Sequence, residues 1–364
     1  MSGHIELLKT LCTLEQEALH DYLFDTLADF YAEENIIEDY GQFLFAKGDI
    51  DVLVVAHLDT VHKTKPTLDE IFYDESKGVM WSPRGIGGDD RCGIFIILNL
   101  LFSGYKPHIA FTWNEEIGCV GSRNMVNIFD PKETMGVKIN FAVQFDRRGH
   151  KEAVYYDLYN PEFEKYITSF GFDTKIGSFT DICEICPDWD CAGVNLSAGY
   201  ANEHTTNEMI FVATINDTFT KACKILADQV ANPKYFEYAE LPKRQFNSYH
   251  KSQGFKPDAD YDDYWKQKYA DDMWNYLDDD YEYAGVSYSK PEGHICELCG
   301  EGKPWYELSP CEDLQKVCNS CYNIYIGKSS YEYYEDDFLD EDDDGNDLVI
   351  SSIREYNRDL RGVY

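Results

Sequence analysis

The chain has 364 residues, of which 44% are hydrophobic and 15% aromatic, and its formal net charge is −35. This length is enough for one large domain or two smaller ones, each with its own core. The negative charge argues against nucleic acid or an anionic membrane as a partner, because both bind through clusters of lysine and arginine.

Helix-like and strand-like segments alternate through the first part of the chain. Residues 1–31 carry apolar side chains at intervals of three and four, which predicts helix. Strand-like runs follow at 41–47, 51–57, 71–74, 108–114 and 139–146, and apolar segments with helical spacing lie at 87–102 and 215–231. This alternation predicts an α/β fold for residues 1–232, with a mixed, mainly parallel sheet flanked by helices.

The composition changes after residue 232. Residues 233–290 are rich in Tyr, Asp and Trp and are predicted to form a partly helical connecting segment. Residues 291–328 contain two closely spaced cysteine pairs and are predicted to form a compact cysteine module. Residues 329–364 are predicted to be a solvated acidic tail, which could attract a basic protein partner.

The sequence also bears on location. No apolar run reaches the roughly 18 residues that a membrane span needs, and the first 30 residues lack the pattern of a secretory signal. The 12 cysteines are therefore expected to be free thiols and metal ligands. We expect a soluble, cytoplasmic protein with no membrane partner, and the sequence leaves its oligomeric state open.

Polar residues cluster where five of the apolar runs end. The stretch VVAHLDTVH places His57 and Asp59 directly after a strand-like run. Later stretches (GIGGDDRCG, FTWNEEIGCVGS, FAVQFDRRG and NLSAGYANEHTTNE) supply Asp89, Asp90, Glu115, Glu116, Asp146 and His204. Two zinc ions about 3.5–4 Å apart need a bridging carboxylate plus a histidine and an acid each, and cobalt or manganese suits the same ligands. These residue types, placed where α/β sheets form their sites, predict a two-metal centre.

In their order, the five motifs resemble those of the co-catalytic zinc aminopeptidases and related amidohydrolases, the peptidase T and carboxypeptidase G-like group. The resemblance covers residues 1 to about 232 and implies the zinc-exopeptidase fold. It implies these ligands for two catalytic zincs: His57 and Asp146 for one, Glu116 and His204 for the other, and Asp89 between both.

The resemblance implies two further roles at the metal centre. Glu115 would be the general base, and Asp59 would orient His57 from behind. One alternative stays open, in which Asp90 bridges the metals and Asp89 lies behind it.

Three more residues are candidates for substrate binding. Arg147 and Arg148 could bind a substrate carboxylate as a fork, or could neutralise an acidic neighbourhood. Asp181, with Thr180 before it, lies where relatives contact substrate, and it could bind a free α-amino group. Only about sixty residues separate the predicted ligand of the FDRRG motif from that of NEHTT, so the lid or dimerisation domain of two-domain members is missing.

A second metal site is predicted in the cysteine module. Two C-x-x-C pairs lie 18 residues apart, and they consist of Cys296, Cys299, Cys318 and Cys321. This spacing is typical of one structural zinc held by four thiolates, and it resembles zinc ribbons and treble clefs. The acidic, Tyr-rich surroundings favour protein contact or simple stabilisation over nucleic acid.

These features predict a metal-dependent hydrolase, most simply a di-zinc aminopeptidase that cleaves short peptides. A deacylase or carboxypeptidase-like amidase acting on an N-acyl small molecule would use the same ligands. A different class is a non-catalytic acidic protein, of the kind that mimics DNA, built on an enzyme scaffold. Metal content separates this last class from the enzymes, because a scaffold could keep the cysteine-bound zinc alone.

Overall fold

The computed structural model describes residues 2–240 and, beyond them, the backbone of six short strands between 282 and 318. The rest of the connecting segment, the side chains of the four module cysteines and the acidic tail lie outside the described residues. The predictions for them stay predictions.

Within residues 2–240 the helices are α1 (Ser2–Thr13), α2 (Gln16–Phe30), α3 (Gly88–Phe102), α4 (Val120–Ile128), α5 (Pro131–Met135), α6 (Pro161–Thr168), α7 (Ile182–Asp188) and α8 (Val212–Ala231). Two short 3₁₀ helices span Glu33–Asn35 and Leu68–Glu70. The segment predicted as helix over 1–31 is therefore two helices, which separate around Leu14 and Glu15.

The strands are β1 (Ile36–Asp39), β2 (Phe43–Ala46), β3 (Ile50–His57), β4 (Phe72–Asp74), β5 (Val79–Trp81), β6 (Pro107–Thr112), β7 (Phe141–Arg147), β8 (Glu152–Val154), β9 (Asp173–Lys175), β10 (Gly193–Ser197), β11 (Tyr200–Ala201) and β12 (Met209–Phe211). The later short strands are β13 (Glu282–Tyr283), β14 (Val286–Ser287), β15 (His294–Ile295), β16 (Gly302–Lys303), β17 (Leu308–Cys311) and β18 (Leu314–Cys318), and they pair as three antiparallel ladders.

An eight-stranded sheet in the order β1-β2-β6-β3-β7-β10-β8-β9 forms the centre of the domain. Its middle strands, β6, β3, β7 and β10, are parallel neighbours, and the antiparallel pairs lie toward the two edges. The predicted mixed, mainly parallel sheet flanked by helices is confirmed. Because the four middle strands run the same way, their carboxyl ends meet along one edge of the sheet.

Both faces of the sheet are covered. In β3, Val52 and Val54 belong to one buried cluster and Leu53 and Val55 to the other, as expected for a strand whose side chains alternate between faces. Helix α3 is buried over nearly its whole length, which suits its apolar composition on all sides. A smaller antiparallel sheet, β11-β12-β5-β4, lies beside this arrangement.

Residues 233–240 also belong to this packed unit. Phe236 is 3% exposed, and its backbone hydrogen-bonds with Asn140 and Ala192. The contacts of the domain therefore continue past the predicted boundary at residue 232. Among the helices of the described residues, none has both the length and the apolar content that a membrane crossing requires.

A fully buried arginine joins the N-terminal helices to the sheet edge. The guanidinium of Arg91, in the first turns of α3, donates to the carbonyl oxygens of Leu11, Leu14 and Leu58 at 2.6–3.1 Å. Leu11 lies in the last turn of α1 and Leu14 directly follows the helix, so Arg91 gives donors to carbonyls at a helix end. Leu58 follows directly after β3, so Arg91 ties three segments together.

We expect Arg91→Met to lower the free energy of unfolding by about 3 kcal/mol, because buried carbonyls would lose their donor. Urea unfolding followed by tryptophan fluorescence measures the change. The control is Arg123→Met, whose guanidinium is half exposed and pairs with Glu184; we expect a loss below about 1 kcal/mol there. Equal losses in the two variants would contradict the role given to Arg91.

Candidate metal centre

His57 is the last residue of β3, and its ring is fixed from behind by a carboxylate. Nδ1 of His57 lies 3.2 Å from Oδ1 of Asp59, and both residues are buried. The same carboxylate accepts the backbone N–H groups of Glu115 and Glu116 at 2.9 and 3.0 Å. Asp59 therefore fixes the ring orientation of His57 and also holds the backbone of the loop after β6 in place.

Asp89 lies between two histidines. Its Oδ1 is 3.0 Å from Nε2 of His57, and its Oδ2 is 3.3 Å from Nε2 of His204. The following residue, Asp90, is joined to it by a cis peptide bond and points elsewhere, accepting N–H groups of His57 and Gly93. The geometry thus favours Asp89 over Asp90 as the shared carboxylate.

Asp146 lies near the carboxyl end of β7, on the His57 side of the centre. Its Oδ1 is 3.6 Å from Nε2 of His57 and accepts the hydroxyl of Tyr200 at 3.0 Å. Its Oδ2 accepts the hydroxyl of Thr180 at 2.6 Å, and its backbone N–H donates to Asn195. These partners hold the carboxylate in one orientation.

His204 completes the other side. It lies on a turn with a positive φ of 63°, and its side chain is about half exposed. Its Nε2 is 2.9 Å from Oε2 of Glu116. The second oxygen of Glu116, Oε1, is buried and meets no hydrogen-bond donor among the described residues.

Among the described residues, two groups have ligand atoms close enough to hold a metal ion. One is His57, Asp89 and Asp146; the other is Asp89, Glu116 and His204. Within each group the atoms lie within 4.8 Å of one another, and Asp89 is common to both. Imidazole and carboxylate donors with one buried oxygen left unpartnered fit a pair of divalent ions of the zinc type.

The charges at this edge perturb one another. Burial raises the pKa of Asp146 to about 6, and the neighbouring carboxylate of Asp89 adds to the shift. Burial also opposes charge on Asp89, yet hydrogen bonds from His204 and His57 lower its pKa. Hydrogen bonds to Asp89 and then Glu116 raise the pKa of His204 to about 11. Burial by itself would lower the pKa of His57, but hydrogen bonds to Asp146, Asp59 and Asp89 raise that pKa well above its ordinary value.

Glu115, the predicted base, stands beside the centre on the loop after β6. It belongs to neither ligand group, and its Oε1 is 3.5 Å from the thiol of Cys119. Burial, and then the charge of Asp146, raise its pKa to about 9. A carboxyl group with a raised pKa near a candidate metal pair can serve as a proton acceptor once cations offset the nearby negative charge.

The structure gives the three predicted substrate contacts other partners. Arg147 pairs with Glu152 at 2.7 Å and Arg148 with Glu203 at 2.9 Å, which agrees with the alternative that these arginines neutralise nearby acids. Asp181 has no exposed surface, and its Oδ2 accepts the hydroxyl of Thr112 at 2.6 Å. A substrate amine could not reach it in this conformation.

Several residues at the site were not identified from the sequence. Tyr200 and Asn195 hold Asp146, and Glu208 receives N–H groups of the Asp89 turn. His62, in the quoted VVAHLDTVH stretch, pairs with Glu208 at 2.7 Å. The sequence offers one signal for Glu208, which is its position four residues after His204 in NEHTTNE. Its hydrogen-bond partners, however, lie far away in the chain.

Comparisons with known proteins gave structural matches. No family model matches the sequence, and no curated protein is similar to it in sequence. The chain is similar to the structure of aminopeptidase PepT from Bacillus cereus, with 13% identity, 63% of this chain and 98% of that one covered, and a TM-score of 0.47. It is also similar to a tripeptidase from Staphylococcus aureus (14%, 62% and 97%, TM-score 0.47) and to an aminopeptidase from the archaeon Desulfurococcus kamchatkensis (14%, 62% and 94%, TM-score 0.48). All three of these proteins are described as peptidases.

Binding of a divalent ion should release protons. Hydrogen bonds to neighbouring carboxylates raise the pKa values of His57 and His204 and so favour the protonated rings, whereas an imidazole must be neutral to bind an ion. We expect apparent affinity to rise with pH as this competition weakens. Calorimetric titration with Mn²⁺ in buffers of different ionisation enthalpy measures the protons released, and the cysteine thiolates of the C-terminal module bind this ion poorly.

Two variants separate the histidines in this titration. His204→Asn should release fewer protons than the wild type. His150→Asn is the control, because His150 bonds to Thr214 and belongs to neither ligand group. Binding heats that do not depend on the buffer would contradict the prediction.

Proposed function

We propose that the chain is a metal-dependent amide hydrolase with two catalytic ions, and that it acts as an aminopeptidase on short peptides. The observation that carries the proposal is the carboxylate of Asp89, which two histidine-and-acid groups share. A single-ion site would have no use for the second group. Two metal ions with a purely structural role would not need a carboxyl group of raised pKa beside them.

The residues would divide the work as follows. His57 and Asp146 would hold one ion, Glu116 and His204 the other, and Asp89 would contact both. Ions bound there would acidify a water molecule and polarise the amide carbonyl of the substrate. Glu115 would accept the proton of that water and pass it to the leaving amine. Asp59 would keep Nε2 of His57 directed at its ion.

A second candidate is a deacylase or carboxypeptidase-like amidase on N-acyl small molecules. It is favoured by the burial of Asp181, since the residue predicted to bind a free amine is out of reach of substrate. A non-catalytic acidic protein that mimics DNA is the third candidate. Against it stands the retention of every expected ligand around Asp89.

Other expectations from the sequence remain part of the proposal. The four module cysteines would hold one structural zinc, and the acidic tail would attract a basic protein partner. A cytoplasmic location would keep those thiols reduced.

The metal content of the full chain tests the two-ion site. Elemental analysis should find close to three zincs per chain, two catalytic and one structural. In the double variant His57→Ala with His204→Ala, the value should fall toward one. One zinc in both proteins would contradict the catalytic site and favour the acidic interaction protein.

Glu115→Gln tests the chemical step. It should lower kcat by about 10²–10⁴-fold, because the amide cannot accept a proton, while both ions stay bound. Steady-state kinetics and elemental analysis measure the two effects. Glu162→Gln is the control, since its carboxylate is largely exposed on α6, and its rate should match the wild type.

A pair of substrates distinguishes the two enzyme candidates. The wild type should cleave a short peptide with a free amino terminus and leave its N-acetylated form intact. Cleavage of the acetylated form alone would replace the aminopeptidase with the deacylase. Full activity of Glu115→Gln on either substrate would contradict the role of Glu115.

A further inference from the structure

The glycine-rich turn at the start of α3, residues 85–90, wraps around a buried glutamate that the proposed chemistry does not use; Asp89 and Asp90 have non-helical backbone angles there. The side chain of Glu208 is 1% exposed, and it lies four residues after His204, just before β12. Its Oε1 accepts the backbone N–H of Asp89 at 3.0 Å, and its Oε2 accepts the N–H of Gly87 at 2.8 Å. Both oxygens are therefore occupied by the turn that carries the shared carboxylate.

A third donor reaches the same carboxylate from another segment. Nε2 of His62 is 2.7 Å from Oε2 of Glu208. His62 lies five residues after His57, in the loop that follows β3. Glu208 therefore connects the loop after the His57 strand, the Asp89 turn and the segment that carries His204.

The glycines of the turn fit this arrangement closely. A Cβ on Gly85 would lie 2.1 Å from the His62 ring. A Cβ on Gly88 would lie 2.9 Å from Ile210 and 3.3 Å from Oε1 of Glu208. The backbone of the turn can approach Glu208 and His62 only because these positions have no side chain.

We infer that Glu208 is the positioning residue that sets Asp89 between the two histidines of the metal centre. It acts through the backbone of Asp89 and, with His62, fixes the separation of the two ligand groups. A carboxylate suits this place because it offers acceptors to all three donors, whereas an amide would face one of them with its own N–H groups. The inference rests on the proposed two-ion site and goes beyond it, because it concerns a residue that touches neither substrate nor ion.

The test is Glu208→Gln in the full chain, with Mn²⁺ affinity measured by calorimetry and the visible spectrum of the Co²⁺-loaded protein recorded. We expect the dissociation constant for Mn²⁺ to rise about 10–100-fold, the range found when partners of metal ligands are lost. The cobalt spectrum should also change, because it reports the geometry of the ligands. Glu162→Gln, with its exposed carboxylate, should leave both unchanged.

A merely structural role for Glu208 would lower the urea midpoint while leaving the affinity and spectrum of the folded protein as in the wild type, and this result would overturn the inference. If Glu208→Gln does not fold, His62→Ala removes one donor and should give a smaller loss of affinity in the same direction. Wild-type affinity in folded His62→Ala would then overturn the inference. Absence of Mn²⁺ binding by the wild type would instead overturn the proposed two-ion site along with it, so the two failures are distinguishable.

Discussion

The carboxylate of Asp89, buried between the imidazoles of His57 and His204, is the constraint on which the rest of the site depends. Two further acids, Asp146 and Glu116, meet these same rings. Gathering this many charged groups away from water is unfavourable unless protons or cations balance them. The pKa values of His57 and His204 are raised because protons on these rings offset the negative charge of the carboxylates.

The fold meets this constraint by bringing the candidate ligands together from separate segments of the chain. His57, Asp146 and Glu116 come from β3, β7 and the loop after β6, because neighbouring parallel strands end at the same edge. His204 comes from the turn between β11 and β12 of the smaller sheet. The remaining candidate ligand, Asp89, comes from the turn at the start of α3 and needs other supports. Arg91 anchors the helix that follows the turn, and the carboxylate of Glu208 holds its backbone.

Sequence reasoning named candidate ligands because most of them, such as His57 and Asp146, lie where an apolar, strand-like run ends, and the structure brings these residues close together. It also predicted the mixed sheet, since alternation of strands and helices is a local pattern. It did not identify Arg91 or Glu208, whose partners are carbonyl and N–H groups distant in the chain, with no signature in residue type. The role of Asp181 at the substrate stays a prediction: sequence position gives no measure of burial, and in the structure this carboxylate is buried and accepts the hydroxyl of Thr112.

The segment after α8 has a practical consequence for dissecting the chain. The ring of Phe236 lies 5.1–5.9 Å from those of Phe141, Phe163 and Tyr166, measured between ring centres. A fragment that stopped at the end of α8 would lack Phe236, which would expose this aromatic cluster and create an apolar surface prone to aggregation. A recombinant domain intended for crystallisation should therefore extend through residue 240, where the last bridge to Leu158 forms.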